Sequence, residues 1–251
     1  MEKKIALVTG GASGIGLTIA KILSKENIYV VINDINNKGL EVAKSINAEF
    51  IKSDLTIADN CKSLVEQVVS KYNRIDILVN NAGIQHVSPI EEFPVDKWQF
   101  IISLMLTAPF LLIKYSFPHM KKNKWGRIIN INSVHGLRAS EFKAAYVSAK
   151  HGLVGLTKVA ALEGANYNIT VNSICPSYVK TPLVDNQIDD QAKTHGIPRE
   201  RVIEEIMLKR VAIKKLVDPK DIAAFVLFIC SDSASCITGS VLPIDCGWAA
   251  M

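Results

Sequence analysis

Apolar residues occur in two patterns along the chain, and the two patterns alternate. Short, nearly continuous apolar runs, which are typical of buried strands, lie at 5–9, 28–33, 50–51, 75–79, 127–132, 169–175 and 241–244. Longer stretches with apolar residues three or four positions apart predict helices at 14–26, 36–47, 56–72, 95–120, 144–167 and 219–230. Strands that alternate with such helices indicate βαβ units and a parallel sheet. Because no repeat or linker interrupts the alternation, we expect one doubly wound α/β domain over 1–251.

Two stretches depart from this alternation. Pro109 lies inside the predicted helix 95–120, where a proline removes a backbone hydrogen bond and should kink the helix. From 176 to 217 the chain is polar and charged, which predicts one or two short helices inserted between sheet elements. Long insertions at strand ends are commonly functional, so we expect a helical substrate lid at about 178–217.

The composition is that of an ordinary soluble globular protein, with 49% hydrophobic and 21% charged residues. The formal net charge of +5 is spread along the chain. Its longest basic cluster, KKNK at 121–124, has no aromatic residues between the lysines, so we interpret it as a solvated loop and expect no nucleic-acid partner. No uninterrupted apolar run approaches the roughly 18–20 residues of a membrane helix, and we expect no membrane span.

Cysteine usage indicates a reducing compartment. The chain has five cysteines, an odd number, and no CxxC motif, so neither a disulfide framework nor a metal site is expected. The first residues, MEKKIALVTG, enter a strand-like run that is too short for the core of a signal peptide. We therefore expect the protein in the cytoplasm.

The segment TGGASGIG at 9–16 joins the first predicted strand to the first predicted helix. Gly10 permits a tight turn, Gly14 lets the backbone approach a pyrophosphate, and Gly16 lets the helix pack close to the sheet. The helix N-terminus then offers free N–H groups and the positive end of its dipole to phosphates. A glycine pattern alone could be a turn without a ligand, but the strand–turn–helix context favours nucleotide binding.

Acidic residues end the next two predicted strands. Asp34 can accept hydrogen bonds from the adenosine ribose hydroxyls, and its charge would repel a 2′-phosphate. Ile35 follows it, where an arginine would favour the phosphorylated cofactor. These residues favour NAD, although Lys38 keeps NADP open. Asp54 lies where it could contact the adenine edge, and the alternative for both aspartates is a solvent-exposed turn.

Tyr146 and Lys150 lie four residues apart in the predicted helix 144–167, and therefore on the same helix face. A tyrosine, with its ordinary pKa of about 10, is a poor base at neutral pH. A nearby lysine cation would favour the tyrosinate by charge attraction. The spacing alone favours an ordinary surface i,i+4 pair.

Taken together, the motifs resemble a known family. TGGASGIG, NNAG at 80–83, Ser133 after the fifth strand, and Tyr146 with Lys150 occur in the order found in short-chain dehydrogenases/reductases, and the resemblance covers 4–248. The segments NAGIQHVSPIEEFP, GRIININSVHGL, KAAYVSAKHGLVGLTKV and PLVDNQID resemble the bacterial D-3-hydroxybutyrate dehydrogenases within that family. The resemblance implies a Rossmann-type sheet of order 3-2-1-4-5-6-7 and a homotetramer.

The same resemblance implies an activity of ketone body metabolism: oxidation of (R)-3-hydroxybutanoate to acetoacetate with NAD. Tyr146 would be the base, Lys150 would assist it and bind the nicotinamide ribose, and Ser133 would hold the reacting oxygen. The implied cofactor-binding residues are Gly10, Ser13, Ile15, Gly16, Asp34, Asp54, Leu55, Asn81, Ala82, Gly83, Tyr146, Lys150, Pro176, Val179 and Thr181. The implied substrate-binding residues are Gln85, Ser133, His135, Lys143, Tyr146, Gln187 and Trp248.

Within that substrate set, Gln85, His135, Lys143 and Gln187 would gather around the substrate carboxylate, and Trp248 would wall the pocket. Each could instead be an ordinary polar or packing residue.

Two residues depart from the family pattern. Met105 stands where the family usually has an asparagine thought to hold a water that passes the tyrosine proton outward, and a thioether cannot donate a hydrogen bond. Ser177 follows Cys175-Pro176 where glycine is frequent, and serine is less permissive in φ. Two alternatives therefore stay open: a reductase of another carbonyl, such as a 3-oxoacyl thioester or a polyol, and a nucleotide-binding protein without turnover.

Overall fold

Seven parallel strands form one sheet in the order β3-β2-β1-β4-β5-β6-β7, the order that the family resemblance implies. This computed structural model describes residues 3–250, apart from the side chain of Asn186. The strands are β1 (Lys4–Thr9), β2 (Ile28–Asp34), β3 (Glu49–Lys52), β4 (Ile77–Asn80), β5 (Gly126–Ile131), β6 (Ile169–Pro176) and β7 (Val241–Ile244). The helices are α1 (Gly14–Leu23), α2 (Lys38–Ser45), α3 (Ala58–Tyr72), α4 (Val95–Ile102), α5 (Ala108–Asn123), α6 (Ala144–Gly164), α7 (Pro182–His195) and α8 (Pro219–Cys230).

Helices cover both faces of the sheet, which explains why the strands are continuously apolar instead of alternating. Along β1, Ala6 and Val8 face one layer, where Ile19 of α1 and Val226 of α8 are buried. Leu7 faces the other layer, which α3, α5 and α6 build around residues such as Leu64, Leu112 and Ala160. Successive strand residues therefore fill two separate cores, and only the strand ends can line a binding site.

The long helical stretch 95–123 is interrupted at a different place from the one expected. A π turn at Ser103–Thr107 separates α4 from α5, and Pro109 lies in the first turn of α5. A proline is tolerated there because the π turn has already replaced the regular hydrogen-bond ladder just before it. The prediction of a kink at Pro109 was therefore wrong, and the irregularity is the π turn just before it.

By length and composition alone, Val95–Asn123 qualifies as a membrane span, which corrects the expectation that no segment does. In the most apolar part of this stretch, 44% is buried inside the protein, and core helices of soluble proteins meet the same criterion.

The insertion between β6 and α8 forms its own small apolar cluster over the carboxyl ends of the strands. Its helical elements are α7, a 3₁₀ turn at Arg199–Arg201 and a π turn at Ile203–Met207. A bridge between Val179 and Val217 closes the base of the insertion. The cluster consists of Val134, Tyr178, Val184, Ile188, Val202, Met207, Val211 and Trp248. Because Val134 lies just after β5, this packing ties the insertion to the sheet edge.

Candidate active site

A cleft of about 290 Å³ opens at the carboxyl ends of the central strands, the position where open α/β sheets bind ligands. The predicted cofactor-binding residues that line it are Gly10, Ser13, Ile15, Asp34, Asp54, Leu55, Asn81, Ala82, Gly83, Tyr146, Lys150 and Thr181. Gly16, Pro176 and Val179 do not line this cleft. Twelve of the fifteen predicted residues therefore surround one space.

The glycine loop has the geometry that a phosphate cradle needs. Gly10 has φ +62°, and a Cβ there would lie 2.9 Å from the Cα of Ala82. A Cβ on Gly16 would lie 2.3 Å from the carbonyl oxygen of Gly10, so Gly16 is required for α1 to pack against the loop, and it does not reach the cleft. Ser13, the N-cap of α1, makes no side-chain capping hydrogen bond. The first-turn N–H groups thus stay available for phosphate oxygens.

Asp34 presents a carboxylate at the outer end of the cleft. Its two oxygens accept hydrogen bonds from the backbone N–H groups of Ala12, at 3.0 Å, and Asn36, at 2.9 Å. The carboxylate is therefore fixed beside the glycine loop. Asp54 is fixed in a similar way, since its Oδ1 accepts from the N–H and the hydroxyl of Thr56. Both aspartates border the region that the adenosine half of a dinucleotide would occupy.

A smaller cavity of about 70 Å³ adjoins the cleft, and Tyr146 lines both spaces. Of the predicted substrate residues, Gln85, Ser133, His135, Lys143, Tyr146 and Gln187 line this cavity, and so do Pro176 and Val179 from the predicted cofactor set. Trp248 does not line it; the indole stacks on Tyr178, with ring centroids 5.7 Å apart, and the phenol lines the cavity. The expected wall is thus formed by Tyr178, a residue that the sequence analysis missed.

Tyr146 and Lys150 face the junction of the two spaces. Burial raises the pKa of Tyr146 to about 12, against the opposing effect of its hydrogen bond with Ser133. Burial lowers the pKa of Lys150 to about 8. The Lys150 ammonium donates to the carbonyl of Ile131 at 2.7 Å and lies 5.6 Å from the centre of the Tyr146 ring. Burial thus outweighs the attraction by which Lys150 was expected to favour the tyrosinate.

Ser133 is held on two sides. Its backbone N–H donates to Oδ1 of Asn132 at 2.9 Å, and its hydroxyl oxygen accepts from the N–H of His135 at 3.2 Å. The ring of His135 bridges the Ser133 hydroxyl, at 3.2 Å, and the Ser140 hydroxyl, at 3.0 Å. Burial, followed by the nearby Lys143 cation, lowers the pKa of His135 well below its ordinary value. His135 is therefore a neutral imidazole that orients Ser133.

Lys143 is a buried cation that lines the smaller cavity. The residue is only 3% exposed, and its ammonium donates to the hydroxyl of Tyr178 at 2.8 Å. Within residues 3–250 no carboxylate pairs with it. Burial lowers its pKa to about 8. On the same cavity wall, the two amide atoms of Gln85 are buried, and neither has a hydrogen-bond partner among the described residues. Among the described residues, the cavity wall therefore carries a cation without a carboxylate and an amide without a partner, although such groups are normally satisfied.

The two departures from the family pattern have different structural outcomes. Met105 lies in the π turn, is buried, and lines the cleft with its thioether against Gly83. The φ of Ser177 is not positive, and its N–H donates to the carbonyl of Ile244. Serine is therefore unstrained at 177, whereas Met105 makes part of the cleft apolar.

Comparison with known proteins agrees with this architecture. The family model of the short chain dehydrogenases matches residues 4–192. An uncharacterized oxidoreductase, YxjF of Bacillus subtilis, is 46% identical over all of this chain and all of its own. A D-beta-hydroxybutyrate dehydrogenase of Rhizobium meliloti is also 46% identical, over 98% of this chain and 99% of its own. The crystal structure of a variant of actinorhodin polyketide ketoreductase with NADPH has a TM-score of 0.94 and 31% identity, covering 99% of this chain and 98% of that one.

The chain belongs to the short-chain dehydrogenase family. It is therefore an oxidoreductase that uses a nucleotide cofactor on a small-molecule substrate.

Proposed function

We propose that the protein oxidises (R)-3-hydroxybutanoate to acetoacetate with NAD. The observation that carries this proposal is Lys143, a buried ammonium without a carboxylate partner among the described residues, on the wall of a small cavity shared with Tyr146. A buried cation is costly unless it is paired, and a carboxylate ligand would complete the pair. The unpartnered amide of Gln85 adds a donor for the same carboxylate.

In this proposal Tyr146 takes the proton of the substrate hydroxyl as the hydrogen on the same carbon leaves as hydride. Bound NAD supplies the hydride acceptor. The Ser133 hydroxyl, which contacts the His135 ring and Tyr146, would turn its proton toward the reacting oxygen when substrate binds. Lys150 lies close enough to the phenol for its charge to favour the tyrosinate once water leaves the cleft.

Asp34 supports NAD over NADP. Its carboxylate lies at the rim of the cleft beside the glycine loop, where it would accept bonds from ribose hydroxyls and repel a 2′-phosphate.

A second function has a specific observation in its favour. One structural neighbour is a polyketide ketoreductase with NADPH, so reduction of a larger carbonyl substrate such as a 3-oxoacyl thioester is the alternative. A thioester has no carboxylate for Lys143 to meet. The variant Lys143→Met should then be nearly silent with a thioester substrate, whereas it should strongly impair turnover of 3-hydroxybutyrate.

The testing experiment follows the absorbance of NADH formed from NAD and (R)-3-hydroxybutyrate, with the (S) enantiomer and NADP as controls. Stereospecific turnover with NAD is the expected result. A purified protein that binds NADH but turns over neither enantiomer would contradict the proposal; variant Met105→Asn would then separate an inactivated site from a different substrate.

We also propose a single-domain subunit that assembles as a homotetramer in the cytoplasm. Exposed apolar residues on α4, α5 and α6, among them Val95, Phe110 and Leu162, support burial of these helices between subunits. Light scattering that gave the mass of a monomer would contradict this.

A further inference from the structure

Tyr178 lies in the connection between β6 and α7 and belongs to none of the motifs that the sequence offers. Its phenol lines the smaller cavity, and its oxygen accepts the hydrogen bond from the Lys143 ammonium at 2.8 Å. That is the one hydrogen bond found for this ammonium among the described residues. The ammonium also lies 4.9 Å from the centre of the same ring.

The phenol is held firmly. Its ring stacks on Trp248 and meets His135 edge-on, at centroid distances of 5.7 Å and 6.5 Å. The Tyr178 carbonyl accepts from the N–H of Val217, which fixes the backbone across the base of the insertion. Burial raises the pKa of Tyr178 far above neutrality, so the phenol keeps its proton. With its oxygen occupied by Lys143, that proton is free to donate.

We infer that Tyr178 is a positioning residue that fixes the Lys143 ammonium on the cavity wall and, together with it, offers a second donor to the carboxylate of the substrate. The inference rests on the proposed function for the identity of the ligand, but the contact between the two side chains exists without any ligand. A purely structural role would leave Tyr178 as a packing surface for Trp248.

The first test needs no substrate. The pKa of Lys143 is measured from its ¹³Cε chemical shift in wild type and Tyr178→Phe, with Lys143→Arg for assignment. Phenylalanine keeps the stacked ring and removes the acceptor, so the charged ammonium loses support and its pKa should fall by about one unit. An unchanged pKa would overturn the inference.

The second test is kinetic and compares acetoacetate with its neutral analogue acetoacetamide. Tyr178→Phe should raise the KM for acetoacetate about tenfold, leave kcat within about twofold, and change acetoacetamide turnover less than about twofold. In a Lys143→Met background its effect on KM should shrink, because only the direct bond from the phenol to the carboxylate is then lost. Tyr167→Phe, which changes an exposed tyrosine at the far end of α6, is the matched control.

The outcomes separate the two proposals. Equal losses with both substrates, or an undiminished effect in the Lys143→Met background, would reduce Tyr178 to a structural residue and leave the proposed function intact. A wild type without preference for acetoacetate over acetoacetamide would overturn the proposed function and the carboxylate role of Tyr178. A lowered Lys143 pKa would in that case still establish the contact.

Discussion

Buried cations lie both at the amino edge of the sheet, where the strands begin, and at the carboxyl edge, where they end, but their partners differ. At the amino edge, Arg74 forms a two-point contact with the fully buried Asp76, at 2.8 Å for each bond. Arg127 donates to two backbone carbonyls, and its Nη2 lies 3.6 Å from Asp232. At the carboxyl edge, Lys143 has a phenol for its partner and a cavity beside it. Burial of a charge therefore does not mark a site by itself; a charge without a counter-charge beside an open space does.

The largest predicted effect tests the carboxyl edge and is the loss of the Tyr146 hydroxyl. Tyr146→Phe removes the proposed base but keeps the ring, so kcat/KM for (R)-3-hydroxybutyrate should fall about 10³-fold. The affinity for NADH, measured by fluorescence titration, should stay within about twofold, and the melting temperature should not fall. Residual activity within tenfold of wild type would contradict the assignment of Tyr146.

At the amino edge the opposite pattern is expected. Asp76→Ala removes the acceptor of the Ile5 N–H and the partner of Arg74, so the free energy of unfolding should fall by about 3 kcal/mol. Urea titration measures this change. The kcat/KM of the protein that remains folded should stay within about twofold, since no residue near Asp76 lines the cleft. A large loss of activity without loss of stability would contradict the distinction between the two edges.

Lys143→Met should combine a functional loss with a gain in stability. Burial lowers the Lys143 pKa to about 8 in the folded protein, against 10.5 for the free side chain. The unfolded chain thus binds the proton more tightly, and at pH 7 the charged lysine costs the folded state up to about 3 kcal/mol. Methionine removes that cost, whereas the KM for a carboxylate substrate should rise at least about 30-fold.

The sign of the pH dependence follows from the same shift. Wild-type stability should rise as the pH increases from 8 to 10.5, because the folded lysine has already lost its proton, and the advantage of Lys143→Met should shrink over this window. The titratable groups beside the ammonium are His135 and Tyr178, and among the described residues no carboxylate pairs with it. Lys150, whose pKa is also about 8, titrates in both proteins and cancels in the comparison. A Met variant less stable than wild type at pH 7 would contradict the cost assigned to Lys143.

Much of the fold follows from local sequence signals, whereas most site residues follow from the family resemblance. Continuous apolar runs indicated a parallel sheet, and Asp34 was found because it ends the second of them; the role of Ser133 was implied by the resemblance. Tyr178 was missed because its partner Lys143 is 35 residues away, and only the folded chain brings them together. Trp248 was expected to wall the cavity, but it stacks behind Tyr178, a contact that likewise forms only in the folded chain. The π turn was missed because one extra residue in a turn leaves the apolar spacing nearly unchanged.

The smallest predicted effect concerns Met105, one of the apolar residues that line the cleft. It lines the cleft with Tyr146 and Lys150, and its thioether can neither donate a hydrogen bond nor hold a water firmly. Met105→Asn should raise kcat about two- to fivefold, an effect of the size of one modest hydrogen bond, with the KM unchanged. The melting temperature should fall slightly, because an amide replaces a packed apolar side chain beside Gly83. Met105→Leu keeps the position apolar and is the control. If the asparagine variant were no faster than the leucine variant, proton transfer from Tyr146 would not depend on a polar group at 105, and the methionine would be a neutral substitution.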